Sequence, residues 1–166
     1  MRQLFPLAFV AALCLAGCAK PGASHGASAS STSVAASTPA GTACDRKLIV
    51  QADVAPLFDE PISGEKTIPG DAQSCEFDTT NFSSVQIALR PGLGDVSVAE
   101  VKSGKTNQTV TPLAGVGDTA VWDPLLKEVD ATKNNVLCEI SATGPASKNA
   151  TSDKVGALCN KIFAAG

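Results

Sequence analysis

The sequence contains no tyrosine, a single tryptophan (Trp122), a single histidine (His25) and no methionine beyond Met1. These absences exclude much chemistry before any element is placed. A serine or cysteine nucleophile activated by imidazole needs a histidine in the folded part of the chain, and His25 lies instead in a run of Ala, Ser, Thr and Gly. No cysteine pair has the C-x-x-C spacing of a zinc site, so no metal is expected, and no stretch calls for a cofactor. Positive charge is also scarce. Arg2 and Lys20 precede Cys44, leaving 11 basic residues against all 16 acidic ones, a net of −5 over residues 44–166. Nucleic acid is therefore not an expected partner, because it needs a positive stripe to displace counterions.

Long apolar runs are missing too. The longest, residues 4–15, is interrupted only by Pro6 and is too short for a spanning helix, which needs roughly 20 apolar residues. Preceded by Arg2 and followed by Leu15-Ala16-Gly17-Cys18, it has the order of a signal peptide: charge, apolar core, small-residue cut. Residues 1–17 are expected to be removed. Leu15 to Cys18 resembles the lipobox of bacterial lipoproteins, which implies a diacylglycerol on the Cys18 thiol. Two acyl chains at roughly 0.8 kcal/mol per buried CH₂ hold a protein on its membrane, where one chain binds only reversibly. The expected location is the cell envelope. In a Gram-negative cell, Ala19 rather than Asp after the cysteine resembles the outer-membrane pattern.

Between residues 19 and 43 only Lys20, His25 and Val34 are not Ala, Ser, Thr, Gly or Pro. Such a segment cannot bury enough apolar surface to offset its ordering entropy and is expected to be a disordered tether, reaching roughly 25 to 30 Å as a coil. Residues 18–43 are thus read as lipidated cysteine and tether, and residues 44–166 as one globular domain. Cys14 leaves with the leader and Cys18 carries lipid, so Cys44, Cys75, Cys138 and Cys159 remain. An even number in an oxidising compartment reads as two disulfides.

Hydrophobic periodicity gives the architecture. Val50, Val54, Leu57 and Phe58 fit one stripe of a helix over residues 48–58, with a kink at Pro56 and a stop at Pro61. The period then becomes two: Cys75 and Phe77 alternate with Glu76 and Asp78, and Val85, Ile87 and Leu89 alternate with Ser84, Gln86 and Ala88, as in half-buried strands joined across Asn81. Residues 96–101 fit a helix or a strand and are read as helix. Residues 119–122, 126–131 and 136–141 read as strands, the last two joined by a hairpin at Lys133-Asn134-Asn135. Thr151-Ser152-Asp153 caps a closing helix whose Val155, Leu158, Cys159 and Ile162 share a face. The expected fold is α+β, an antiparallel sheet of five or six strands with an N-terminal and a C-terminal helix. In that layout Cys44, before the first helix, pairs with Cys75 in the first clear strand. Cys138, on the inward face of its strand, pairs with Cys159 beside the apolar stripe of the last helix.

Four residues form the most site-like constellation. Gly115 and Gly117 allow close backbone approach, Asp118 offers an acceptor, and Trp122 follows on the strand. The simpler alternative is that the glycines make a turn and Trp122 fills the core, with Val121 facing out. Asp118 and Asp123 are also the carboxylate pair to consider for hydrolysis, although alternation puts them on opposite sides of a regular strand. A calcium loop at Asp130, Thr132 and Asn134 fails, because Asn135 stands where glycine is needed and Ser141 where the bidentate Glu should be.

The lipobox and tether, Cys44 before a helix containing Ala52-Asp53-Val54, Cys75-Glu76-Phe77 opening a strand, and the run from Pro112 to Trp122 together resemble the bacterial lipoprotein family called domain of unknown function 3558. That family more often has Trp where this chain has Phe77. The resemblance implies a fold similar to the two-disulfide extracellular sensor domain of certain bacterial receptor kinases, which has a cleft, and hence a module binding an envelope ligand or protein partner. The alternatives are a carboxylate-dependent envelope hydrolase and an inhibitor or structural spacer, the last favoured by a fold without a cleft of roughly 300 Å³.

Overall fold

The computed structural model describes residues 41–94, 98 and 110–166. The leader, the lipobox cysteine and nearly all of the tether lie outside the described residues, as do residues 96–101 apart from Val98. Among the described residues no helix is long and apolar enough to cross a membrane.

Among the described residues seven strands form one antiparallel sheet: β1 (Ile62–Ile68), β2 (Asp71–Thr79), β3 (Ser84–Pro91), β4 (Thr111–Pro112), β5 (Thr119–Asp123), β6 (Glu128–Lys133) and β7 (Val136–Thr143), in the order β1-β2-β3-β7-β6-β5-β4. The α+β class with two disulfides is as expected, but the count of five or six strands is corrected to seven. Both additions are at sheet edges. β1 buries Ile62 and leaves the next five residues exposed, so it lacks the alternation that marks a half-buried strand. β4 is two residues long and contains Pro112, which an edge strand tolerates because one row of its N–H groups has no ladder partner.

One sheet face carries the core. Cys75, Phe77, Val85, Ile87, Leu89, Val129, Ala131, Cys138, Ile140 and Ala142 are buried there, beneath a short N-terminal helical segment and the helix α2 (Ser152–Ala165). The first helix is shorter than residues 48–58. It is α1 (Gln51–Val54) followed by a 3-10 turn, Ala55–Leu57, because Pro56 has no N–H to continue the i→i−4 ladder. Val50 is consequently a half-exposed N-cap rather than part of a buried stripe. Asp53 accepts from the Val50 N–H at 2.9 Å and from Lys161 at 2.5 Å, which ties α1 to α2. Burial pushes the Asp53 carboxyl up, but the bonds from Lys161 and Val50 outweigh it and hold the group below its ordinary value.

Two disulfides complete the fold, Cys44–Cys75 and Cys138–Cys159. The first joins the segment before α1 to β2, and the second joins β7 to α2. On the opposite sheet face Val121, Leu137 and Val98 form a smaller buried cluster. Val121 does face away from the main core, but it is buried rather than solvated.

Candidate functional site

None of the four residues singled out from sequence lines the groove between Gly41 and Ala72 described below. Gly115 and Gly117 have φ of +78° and +55°, a conformation that glycine adopts without a Cβ penalty. The loop they shape is fastened on two sides. Asn160 of α2 accepts from the Gly117 N–H at 3.1 Å and donates to the Gly115 carbonyl at 2.8 Å. The Asp118 N–H donates to the Thr132 carbonyl at 2.7 Å, and the Asp118 carboxylate accepts from the Asn134 N–H at 3.1 Å. Gly117 sits so close to the sheet that a Cβ would lie 2.3 Å from the Thr132 carbonyl oxygen. Val116 and Leu113 pack against Gly156, where a Cβ would meet Val116 at 2.8 Å. The constellation thus has a structural account, as the strap that fixes α2 on the β5–β6 side of the sheet.

Trp122 is half-buried and packs against the main core with Leu113 and Phe163. Because it is the only indole, the emission spectrum reads this residue alone. The packing predicts an emission maximum to the blue of free tryptophan, weak iodide quenching, and a lower melting temperature for Trp122→Phe. An intensity as open to iodide as that of a free indole would contradict it.

Asp118 just precedes β5 and Asp123 ends it, roughly 16 Å apart along the backbone at about 3.3 Å per residue. Inverting glycosidases need about 6.5 to 9.5 Å and retaining ones about 5 Å, so this pair does not flank one scissile bond. Asp123 is buried, and its Oδ1 accepts from the N–H groups of Leu125 and Leu126 at 2.9 and 3.1 Å. Among the described residues no three acidic, histidine or cysteine side chains are grouped to hold a metal.

A groove of about 560 Å³ runs between the turn at Gly41, Thr42 and Asp45 and the β1–β2 turn, Thr67 to Ala72. It is larger than the volume set for a cleft, but its acceptors are already engaged. Asp45 takes the Thr42 N–H and hydroxyl, which hold its carboxyl below the usual value. Asp71 is held low by the Ser74 hydroxyl first, then the Gln73 N–H and the Arg90 guanidinium.

The feature that sequence reasoning missed is at the other end of the sheet. Thr80-Asn81-Phe82 form the β2–β3 turn, and Phe82 is 97 % exposed with φ of +60°. A three-residue hairpin of this kind places its last residue in the left-handed region, where glycine is the natural occupant. A bulky side chain there is an outlier. The turn around it is rigid. The Thr79 N–H donates to the Ser83 carbonyl at 2.8 Å, the Ser83 N–H to the Thr79 hydroxyl at 3.2 Å, and both Thr79 and Asn81 bond the Glu60 carboxylate. From the other side the Ala146 N–H donates to the Ser83 hydroxyl at 2.8 Å. Gly144 lies so close that a Cβ would be 2.6 Å from the Ser83 Cα.

The β5–β6 turn stands at the same sheet end, because Gln86, Ser141, Glu128 and Asp123 form one row across the strands. It carries Leu125, 74 % exposed, and Leu126, 40 % exposed. Asp123 clamps its start, and Lys127 closes it, with its Nζ donating to the Ser147 carbonyl at 2.7 Å. Exposed Pro145 lies on the loop between the two turns. Phe82, Pro145, Leu125 and Leu126 therefore stand as separate exposed apolar side chains along one end of the sheet, a discontinuous ridge on hydrogen-bonded turns. The sequence signal was an aromatic residue inside a turn that lacks glycine.

No family model, curated protein or solved structure matches the chain.

Proposed function

We propose that the chain is a lipid-anchored protein of the cell envelope whose small α+β domain binds a partner through the ridge at Phe82 and performs no catalysis. The likeness of its lipobox, tether and cysteine layout to the lipoprotein family named above supports the anchor. The observation that carries the binding role is Phe82 itself. Its side chain packs against almost nothing, and its backbone sits in a region that costs a non-glycine residue of order 1 kcal/mol or more. Neither packing nor turn chemistry accounts for phenylalanine there, whereas contact with something outside the domain does. An aromatic group on a rigid turn loses little conformational entropy on binding, which is how exposed aromatics become binding anchors.

The test has two arms in cells. Cys18→Ser is expected to leave an uncut precursor or release the protein from membranes, and a mutant still processed and still partitioning into detergent would remove the anchor. A benzophenone amino acid at position 82 is expected to give covalent adducts on irradiation several-fold above the same probe at exposed Gln73. Equal adduct at the two positions would remove the ridge.

A further inference from the structure

The occupant of the ridge can be named from the shape of the ridge and from where the tether joins the domain, if the anchored reading above holds. We propose that Phe82, Leu125 and Leu126 seat in the interfacial layer of the phospholipid bilayer that carries the chain's own lipid.

The groove of about 560 Å³ among the described residues lies at the sheet end opposite the ridge. Separate apolar tips at one end of a sheet fit a broad, compliant surface better than they fit a socket. Counted from the row through Gln86 and Glu128, Phe82 stands about two residues further out than Leu126, roughly 7 Å at strand rise. That offset falls within the 5 to 10 Å over which an apolar face sinks into the boundary between headgroups and acyl chains. The carboxylates beside the ridge are already engaged: Asp59 pairs with Lys148 at 3.4 Å, and Glu60 bonds Thr79 and Asn81. Their desolvation cost is thereby reduced. The net charge of −5 over residues 44–166 favours a zwitterionic surface over an anionic one.

The tether supplies the remaining argument. Gly41 lies beside the β1–β2 turn, at the end of β2 away from Phe82. β2 is nine residues long, so the ridge stands roughly 30 Å from the point where the tether enters. As the coil that its composition predicts, the segment of residues 19–40 has a reach of roughly 23 to 28 Å. Effective concentration is greatest when a linker's mean length matches the span it must cover, and for short flexible linkers it is in the millimolar range. Three small apolar contacts, too weak to hold a free domain, suffice for a domain already attached to the bilayer by its other end. The domain then stands on its ridge end, with the tether running back beside it to the bilayer.

The experiment uses the chain from Cys18 onward, coupled through the Cys18 thiol to a maleimide lipid in phosphatidylcholine vesicles. Trp122→Phe with Phe82→Trp leaves one indole, at the ridge. The expected result is a blue shift on coupling and quenching by brominated acyl chains several-fold above that of the native Trp122 in the unsubstituted chain. Both effects should disappear on adding Leu125→Asp and Leu126→Asp, or on deleting residues 22–37, which cuts the tether's reach to roughly 12 to 15 Å. In a chain that keeps Trp122, benzophenone at position 82 should give adducts of phospholipid mass on the same vesicles. An indole as open to iodide on vesicles as in solution, with no lipid adduct, overturns the proposal. Because the lipid is attached chemically, that outcome is separate from failure of the anchor or of the ridge, which the cellular arms test; a protein adduct at position 82 in cells would then identify the other class of occupant.

Discussion

Gly117→Ala is expected to destabilise the domain by about 3 kcal/mol, whereas Gly115→Ala should cost only about 1 kcal/mol. Both residues have positive φ, so both substitutions carry the left-handed penalty of an L side chain. They differ in what a methyl group meets. At Gly115 nothing lies within 4 Å, but at Gly117 the Thr132 carbonyl oxygen is 2.3 Å away and the Phe163 ring 3.0 Å. The carbonyl is backbone of β6 paired on both sides, with Thr119 of β5 and Leu137 of β7, and cannot move aside, so the strap must lift and strain the Asn160 and Asp118 hydrogen bonds that fasten it. Urea unfolding of the two variants beside the wild type measures the difference. Equal, small effects would mean that the strap is free of the sheet and that its glycines serve something other than packing.

Loss of a disulfide is the other large effect. Cys138 and Cys159 close a loop with a sequence separation of 21, and Cys44 and Cys75 one with a separation of 31. In the chain-entropy model these constrain the unfolded chain by about 3 and 4 kcal/mol respectively. The double substitution Cys138→Ala with Cys159→Ala is expected to cost at least the first figure, since both sulfurs are fully buried between β7 and α2 and their removal leaves a void. That is a large fraction of the 5 to 15 kcal/mol by which domains of this size are stable, and the melting temperature should fall by roughly 10 °C or more. The doubly substituted Cys44→Ala with Cys75→Ala should fall comparably. A domain that melts unchanged without either bond would show that the helices are held by packing alone.

The parts of the fold that bury one face were legible in the sequence. β3 alternates apolar with polar or small residues, β2 does so from Cys75 and β7 from Cys138, α2 repeats its apolar positions at helical spacing, and Asn134-Asn135, both with positive φ, mark the β6–β7 turn by residue type. The cysteines follow from the same pattern, since each lies where a helical segment crosses the inward face of a strand. β1 and β4 were not legible because an edge strand with little beneath it has no reason to alternate. The extent of α1 was misjudged because an apolar stripe continues through Leu57 and Phe58, while the backbone bond that Pro56 cannot make ends the α-helix earlier.

The candidate site was less legible, for a physical reason. Gly115, Gly117, Asp118 and Trp122 carry the residue types of a binding loop, but the same types are what a tight strap requires, and only the approach of Gly117 to Thr132 separates the two uses. The ridge is the converse case. Phe82, Leu125 and Leu126 read in sequence as ordinary apolar residues that a core would absorb. Only their exposure, the φ of Phe82 and the bonds that hold both turns rigid distinguish them.

The central claim is that Phe82 serves a contact outside the domain and contributes nothing to the fold, and the stability of Phe82→Gly tests it most directly. At 97 % exposure the ring gives up no packing when removed, and glycine relieves the left-handed strain, so the account predicts a domain more stable by about 0.5 to 1 kcal/mol in chemical denaturation. A variant less stable than the wild type would contradict it, and would place Phe82 among the residues that hold the hairpin together.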